Sequence, residues 1–175
     1  MSRLADQIQQ VLPAFSTLET PPALVCGLAL AAHKVIRATR DVDFLVASED
    51  AERVHALLLS LDYQCVHRSE DAANYVRRDE GFDLLYAHRP IANALLREAL
   101  LRETPLGKLR VISAEGLIGF KLQAVCNDPS RSQDIEDIRQ LLRANRAVLE
   151  MSQVRRYFEL FERETLLDEL LAEKE

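Results

Sequence analysis

The stretch Asp41-Val42-Asp43-Phe44-Leu45-Val46 constrains this chain more than any other. Side chains two apart on a strand share one side, about 6.5–7 Å from each other along the chain. Asp41 and Asp43 therefore share one face, and Val42, Phe44 and Val46 the other, so the strand packs a core with one side and presents acids on the other. Two carboxylates at that spacing repel by about 2.5 kcal/mol at an effective dielectric of ~20. Arg37 and Arg40 at the strand's start offer one form of relief. A magnesium ion offers another, since proteins hold it with one or two carboxylates, phosphate oxygens and retained waters.

The context favours the cation. Ala23 to Cys26 is a short apolar run that reads as a buried strand, and Gly27 follows it and opens a helix-forming stretch from Leu28 to Val35. Backbone N–H groups at such a turn can hold a phosphate. Strand, glycine, helix and then Asp-x-Asp on the next strand sets an anion site beside a cation site, as a nucleoside triphosphate with its metal requires. Asp83, in Gly81-Phe82-Asp83-Leu84-Leu85, is a third carboxylate at the start of another strand. It can bind a metal and serve as general base in two-metal phosphoryl-type chemistry.

The rest of the chain reads as α/β first and helix afterwards. A helical pattern from Leu4 to Leu18 is interrupted by Pro13, and Pro21-Pro22 ends it. Thr39 to Val46 is a strand, and Ser48 caps a helix running to about Leu61. Gln64–Arg68 and Asn74–Arg78 read as strands, Asp79-Glu80-Gly81 as a hairpin turn, and Phe82–Ala87 as the strand leaving it. Pro90 opens a helix to about Arg102, Leu109–Ile112 is a strand, and Ser113 caps a helix from Ala114 to Cys126. Amphipathic helices follow near Gln133–Asn145 and Gln153–Ala172. The domain expectation is an α/β core over residues 1–126 and a helical segment over 127–175 packed on it.

Composition excludes several classes. No apolar run approaches the roughly 18 residues of a membrane span, and Met1 to Gln10 lacks an apolar signal core, so a cytoplasmic protein is expected. Cys26, Cys65 and Cys126 are widely spaced with no CxxC pair and read as small buried hydrophobes. His33, His55, His67 and His88 show no metal-ligand spacing. Of the net charge of −6, seven acids and two bases fall from Glu159 onward, leaving 21 acids and 20 bases. That balanced body is not a general nucleic-acid binder.

Taken together, three stretches resemble the nucleotidyltransferase superfamily that includes DNA polymerase beta, and within it the bacterial AbiEii-type and related minimal nucleotidyltransferases. The first runs from Val25-Cys26-Gly27-Leu28 through Arg37-Ala38-Thr39-Arg40 to Asp41-Val42-Asp43. The second is Phe82-Asp83-Leu84-Leu85. The third is Leu117-Ile118-Gly119-Phe120-Lys121-Leu122-Gln123-Ala124 followed by Asp134-Ile135-Glu136-Asp137-Ile138. The resemblance implies a mixed β-sheet flanked by helices, with further helices at the C-terminal end. It implies catalysis and metal binding by Asp41, Asp43 and Asp83, and nucleotide contact by Gly27, Leu28, Arg37, Thr39, Lys121 and Asp134. Lys121 would contact phosphate or stabilise Asp134 or Asp137. Cys26 departs from the family pattern, which has a glycine there, and Lys34 stands where a glycine is common.

The implied activity is transfer of a nucleoside monophosphate from a triphosphate to an acceptor hydroxyl, with Mg2+ or Mn2+ as cofactor. The acceptor would be a tRNA end, a protein side chain or a small molecule. AbiEii-type relatives are often toxins of toxin–antitoxin pairs, which implies an antitoxin partner; no membrane partner is expected, since no apolar run is long enough for a span. Two other readings stand beside this one: an antibiotic-modifying nucleotidyltransferase, and a non-catalytic nucleotide-binding or interaction domain on the same fold.

Overall fold

A computed structural model describes residues 3–104 and 106–173. The first two residues of the N-terminal segment and the last two of the acidic tail lie outside that range. The chain forms two compact units, one reaching Ala32 and resuming over Arg37–Ile112, the other comprising His33–Ile36 and the chain from Ser113 onward.

The first unit holds a seven-stranded mixed sheet. Its strands are β1 (Ala23–Leu24), β2 (Asp41–Ala47), β3 (Gln64–Arg68), β4 (Ala72–Arg77), β5 (Glu80–Ala87), β6 (Leu100–Thr104) and β7 (Gly107–Val111), in the order β3-β4-β5-β2-β1-β7-β6. The central pair β2 and β5 is parallel, as is β1 with β7, and the remaining pairs are antiparallel. Four helices belong to this unit: α1 (Arg3–Phe15), α2 (Cys26–Ala32), α3 (Ala51–Ser60) and α4 (Pro90–Glu98).

One face of the central strands carries the core. Val42 and Phe44 of β2 and Phe82 and Leu84 of β5 are fully buried there. Phe44 stacks on Phe82 at 5.8 Å between ring centroids and meets Phe15 of α1 edge-on at 5.1 Å. Tyr63 packs edge-on against Phe82 and its hydroxyl donates to Gln7 of α1 at 3.0 Å. This cluster holds α1 on one side of the sheet and leaves the aspartates of β2 and β5 on the other.

Several local expectations change. Pro13 does not interrupt α1, because a proline near a helix end removes a single backbone bond and its fixed φ suits the helix. Ser48 does not cap an α-helix; Ser48–Asp50 is a 3₁₀ turn, α3 begins at Ala51, and the Ser48 hydroxyl bonds to Glu49 instead. The hairpin is tighter than expected, with Arg77 paired to Glu80 across Arg78-Asp79 and Arg78 at φ 57°. The helix opened by Pro90 stops at Glu98, and Leu100–Thr104 pairs with β7 as an edge strand. The cysteines are half-buried rather than buried.

The second unit is helical: α5 (Ala114–Asn127), α6 (Ser132–Ala144), α7 (Met151–Leu160) and α8 (Glu164–Ala172). Ser113 caps α5, its hydroxyl accepting from the Gly116 amide at 3.0 Å. The segment His33–Ile36 is tied in by Asn145, whose side-chain amide donates to the His33 carbonyl at 2.9 Å. The single helix expected over Gln153–Ala172 is broken into α7 and α8 where Glu162 adopts a φ of 54°. Val154, Tyr157, Phe158, Leu167 and Leu170 are buried. Gly119 of α5 gives room to the Tyr157 ring of α7, since a Cβ there would lie 3.1 Å from it. Among the described residues no helix is long and apolar enough to cross a membrane.

Candidate active site

The register of β2 and β5 assembles the acids. Asp43 is paired with Asp83 and Asp41 with Gly81 in a parallel ladder, so all four positions fall on one face. Neighbouring strands lie about 4.8 Å apart, which brings the Asp43 and Asp83 backbones closer to each other than Asp41 is to Asp43 along its own strand. Asp41 is exposed, whereas Asp43 and Asp83 are half-buried.

Burial pushes the Asp83 carboxyl above the usual range for an aspartate; a hydrogen bond with Asn74 opposes the shift, and the charge of Asp41 adds to it. Asn74 reaches Asp83 because β4 and β5 are in register at those two residues. A carboxylate of raised pKa is a stronger proton acceptor, so the site contains one acid suited to general-base work.

The turn after β1 lies beside Asp43, whose carbonyl accepts from the Val25 amide at 3.0 Å. Gly27 is buried there, with half-buried Leu28 after it. A Cβ on Gly27 would stand 2.8 Å from the Thr39 hydroxyl and 3.1 Å from the Arg37 guanidinium. Gly27 is thus required for close packing: Arg37 and Thr39, leading into β2, lie directly on the turn. Cys26 has a φ of 53° and Lys34 a φ of 63°, so both positions noted as departing from the family's glycines are left-handed.

The donor set fits a hard divalent cation, because it offers only carboxylate oxygens and Gly81 leaves the Asp41 carboxylate space on the shared face. Among the described residues no three His, Cys, Asp or Glu side chains converge into a ligand cluster. Magnesium is commonly held by one or two carboxylates and completed by phosphates and water, so such a cluster is not a requirement.

A family model described as an uncharacterised nucleotidyltransferase matches residues 2–158. The chain belongs to this nucleotidyltransferase family.

Solved nucleotidyltransferases share the fold. In solution, the antibiotic-resistance factor ANT(2'')-Ia superimposes with a TM-score of 0.65 at 18% identity, covering 94% of each chain. The crystal structure of ANT(2'')-Ia in complex with adenylyl-2''-tobramycin gives 0.70 at 18% identity over 92% of this chain and 98% of that one. An antigenic nucleotidyltransferase-like protein from Paracoccidioides brasiliensis gives 0.55 at 18% identity over 98% and 94%. No curated protein matches. These findings bear on the superfamily; the AbiEii-type affinity rests on the motifs alone.

Lys121 and Asp134 of this nucleotidyltransferase meet inside the second unit. The Lys121 ammonium, buried on α5, donates to Asp134 at 2.9 Å and to Asp137 at 2.5 Å, both on α6. Arg131 also pairs with Asp134, and Gln133 donates to Asp137 at 3.1 Å. Burial alone would raise Asp134, but the hydrogen bonds from Lys121 and Arg131 prevail and hold its carboxyl below the usual range. The arrangement is a satisfied buried charge cluster joining two helices.

Two site residues are missing from the sequence reading. Asn74 stands beside Asp83, and Gly81 lies under Asp41. Asn74 sits between apolar Ala73 and Tyr75, which is a weak signal in sequence, whereas Gly81 reads as part of the hairpin turn and only the structure puts it inside β5.

Proposed function

We propose that this nucleotidyltransferase transfers a nucleoside monophosphate from a triphosphate to a hydroxyl of a small molecule, with magnesium or manganese as cofactor. The observation that carries the reading is the register that sets Asp43 beside Asp83 on the face shared with Asp41. Asp41, Asp43 and Asp83 would hold the cation, which supplies charge neutralisation at the triphosphate when bound. Arg37 and Thr39 pack on the Gly27 turn; in this reading they meet the phosphates, Arg37 contributing positive charge.

The acceptor oxygen attacks the α-phosphorus in line; the bond between that phosphorus and the bridging oxygen of pyrophosphate breaks, and pyrophosphate leaves with the bonding electrons. Asp83, with its raised proton affinity, takes the proton from the acceptor hydroxyl. Asn74 keeps that carboxylate oriented toward the shared face.

A small acceptor is favoured over RNA because the chain outside its acidic end is nearly neutral, and phosphate backbones are held chiefly by cationic surface. The fold shared with ANT(2'')-Ia, whose crystal structure holds adenylyl-2''-tobramycin, makes aminoglycosides the first acceptors to offer. The test incubates the protein and magnesium with each α-labelled triphosphate, using aminoglycosides, lincosamides, total tRNA and bulk protein as acceptors. Label on a small molecule supports the proposal. Label on tRNA or protein replaces its acceptor class and reopens the question of an antitoxin partner. Triphosphate binding without transfer to any acceptor favours a non-catalytic domain.

A further inference from the structure

We infer that Gly81 is a positioning residue of the active site, its absent side chain being the space into which the Asp41 carboxylate leans. The inference rests on the function proposed above.

A glycine inside a strand calls for a reason, because it destabilises by roughly 0.5–1 kcal/mol relative to alanine. Conformation does not supply it. Gly81 is paired on both sides, to Asp41 and to Val76, and its φ lies outside the left-handed region, unlike that of Gly107. Nor does backbone crowding, since the three nearest atoms that a Cβ at Gly81 would meet all belong to the Asp41 side chain. That Cβ would fall 2.2 Å from Asp41 Oδ1 and 2.9 Å from Cγ, well inside van der Waals contact.

The direction of the lean matters. Asp41 extends across the gap to β5, the strand that carries Asp83, and its charge is felt there. A side chain at position 81 would force the Asp41 carboxylate off β5. Asp41 is exposed, so its carboxylate can turn to solvent at little energetic cost. The consequence of Gly81→Ala therefore falls on the site and leaves the fold intact. Gly119 differs, because a Cβ there meets the ring of Tyr157, a buried core residue.

The test measures Mn2+ binding by electron paramagnetic resonance, with whichever triphosphate the wild-type chain binds best, alongside thermal melting. Gly81→Ala is expected to weaken Mn2+ binding about tenfold, on the scale of lost ligand-orienting contacts. Its melting temperature should equal or exceed that of the wild type. In an Asp41→Ala background, Gly81→Ala should have no further effect on Mn2+ binding. Normal Mn2+ binding by Gly81→Ala, with binding lost in Asp41→Ala, overturns the inference while leaving the proposed function standing. Equal weakening in both backgrounds, or loss of a cooperative melt in Gly81→Ala, also overturns it. Absence of Mn2+–triphosphate binding by the wild type overturns the proposed function, and the inference with it.

Discussion

Asp43 of β2 and Asp83 of β5 stand opposite each other in a parallel register, and both are half-buried. Parallel strands need a long crossover, here the run from α3 through β3 and β4. The carboxylate pair is therefore a product of topology: about forty residues separate its members in sequence, and the sheet places them side by side. The aromatic cluster of Phe15, Phe44, Phe82 and Tyr63 fixes which face they take. Rotating either strand by one residue would exchange acids for core, so register is strongly enforced.

The Lys121 cluster should govern the stability of the helical unit. Removing one partner of a buried ion pair strands the opposite charge, at a cost of about 3–5 kcal/mol. Lys121→Met takes the ammonium away from Asp137, which keeps its bond from Gln133, and from Asp134, which keeps Arg131. Denaturant unfolding followed by far-ultraviolet circular dichroism should show a loss of that size; a change below about 1 kcal/mol, the ceiling for typical exposed pairs, would contradict the account.

Acid should weaken the same cluster. Asp134 titrates lower in the fold than its ordinary value, because Lys121 and Arg131 outweigh its burial. A depressed carboxyl pKa contributes stability that is complete above the unfolded value of about 3.9 and is lost as pH falls through the folded one. Asp134→Asn should therefore melt below the wild type near neutral pH, with the gap narrowing as the pH drops below about 4. Thermal scans across that range read the gap directly, and a gap independent of pH would refute the assignment.

Backbone strain at the turn after β1 is also testable. Cys26 holds a φ of 53°, a region that costs a residue with a Cβ roughly 1–2 kcal/mol. Cys26→Gly removes that cost but adds about 0.5–1 kcal/mol of chain entropy. The net expectation is a rise in melting temperature of about 2 °C. Cys26→Ala keeps the Cβ and should show no rise. A rise in the alanine variant of the same size would assign the effect to the sulfur instead.

Much of this was legible because local pattern and global fold agree. The alternation in Asp41–Val46 named both the core face and the acid face, Ser113 announced the start of α5, and β3 has the bounds expected from sequence. The failures have a common physical origin. Leu100-Leu101-Arg102-Glu103 has helix-forming composition, and it is pairing with the next strand, β7, that makes it a strand. The break at Glu162 carries neither glycine nor proline, so no local signal marks it. Asn74 and Gly81 acquire their roles from registers across three strands, which no stretch of one strand encodes.

Nucleotidyl transfer is proposed to run on the carboxylates shared by β2 and β5. The most direct measurement compares transfer of label from an α-labelled triphosphate by the wild type and by Asp43→Asn, under identical magnesium and acceptor conditions. The substitution keeps size and strand position while removing a charge. The account predicts that the rate falls by about 10²–10³-fold, the scale of losing one electrostatic stabiliser of the transition state, with the melting temperature preserved. Equal transfer by the two proteins would contradict it and return Asp43 to the role of a structural acid.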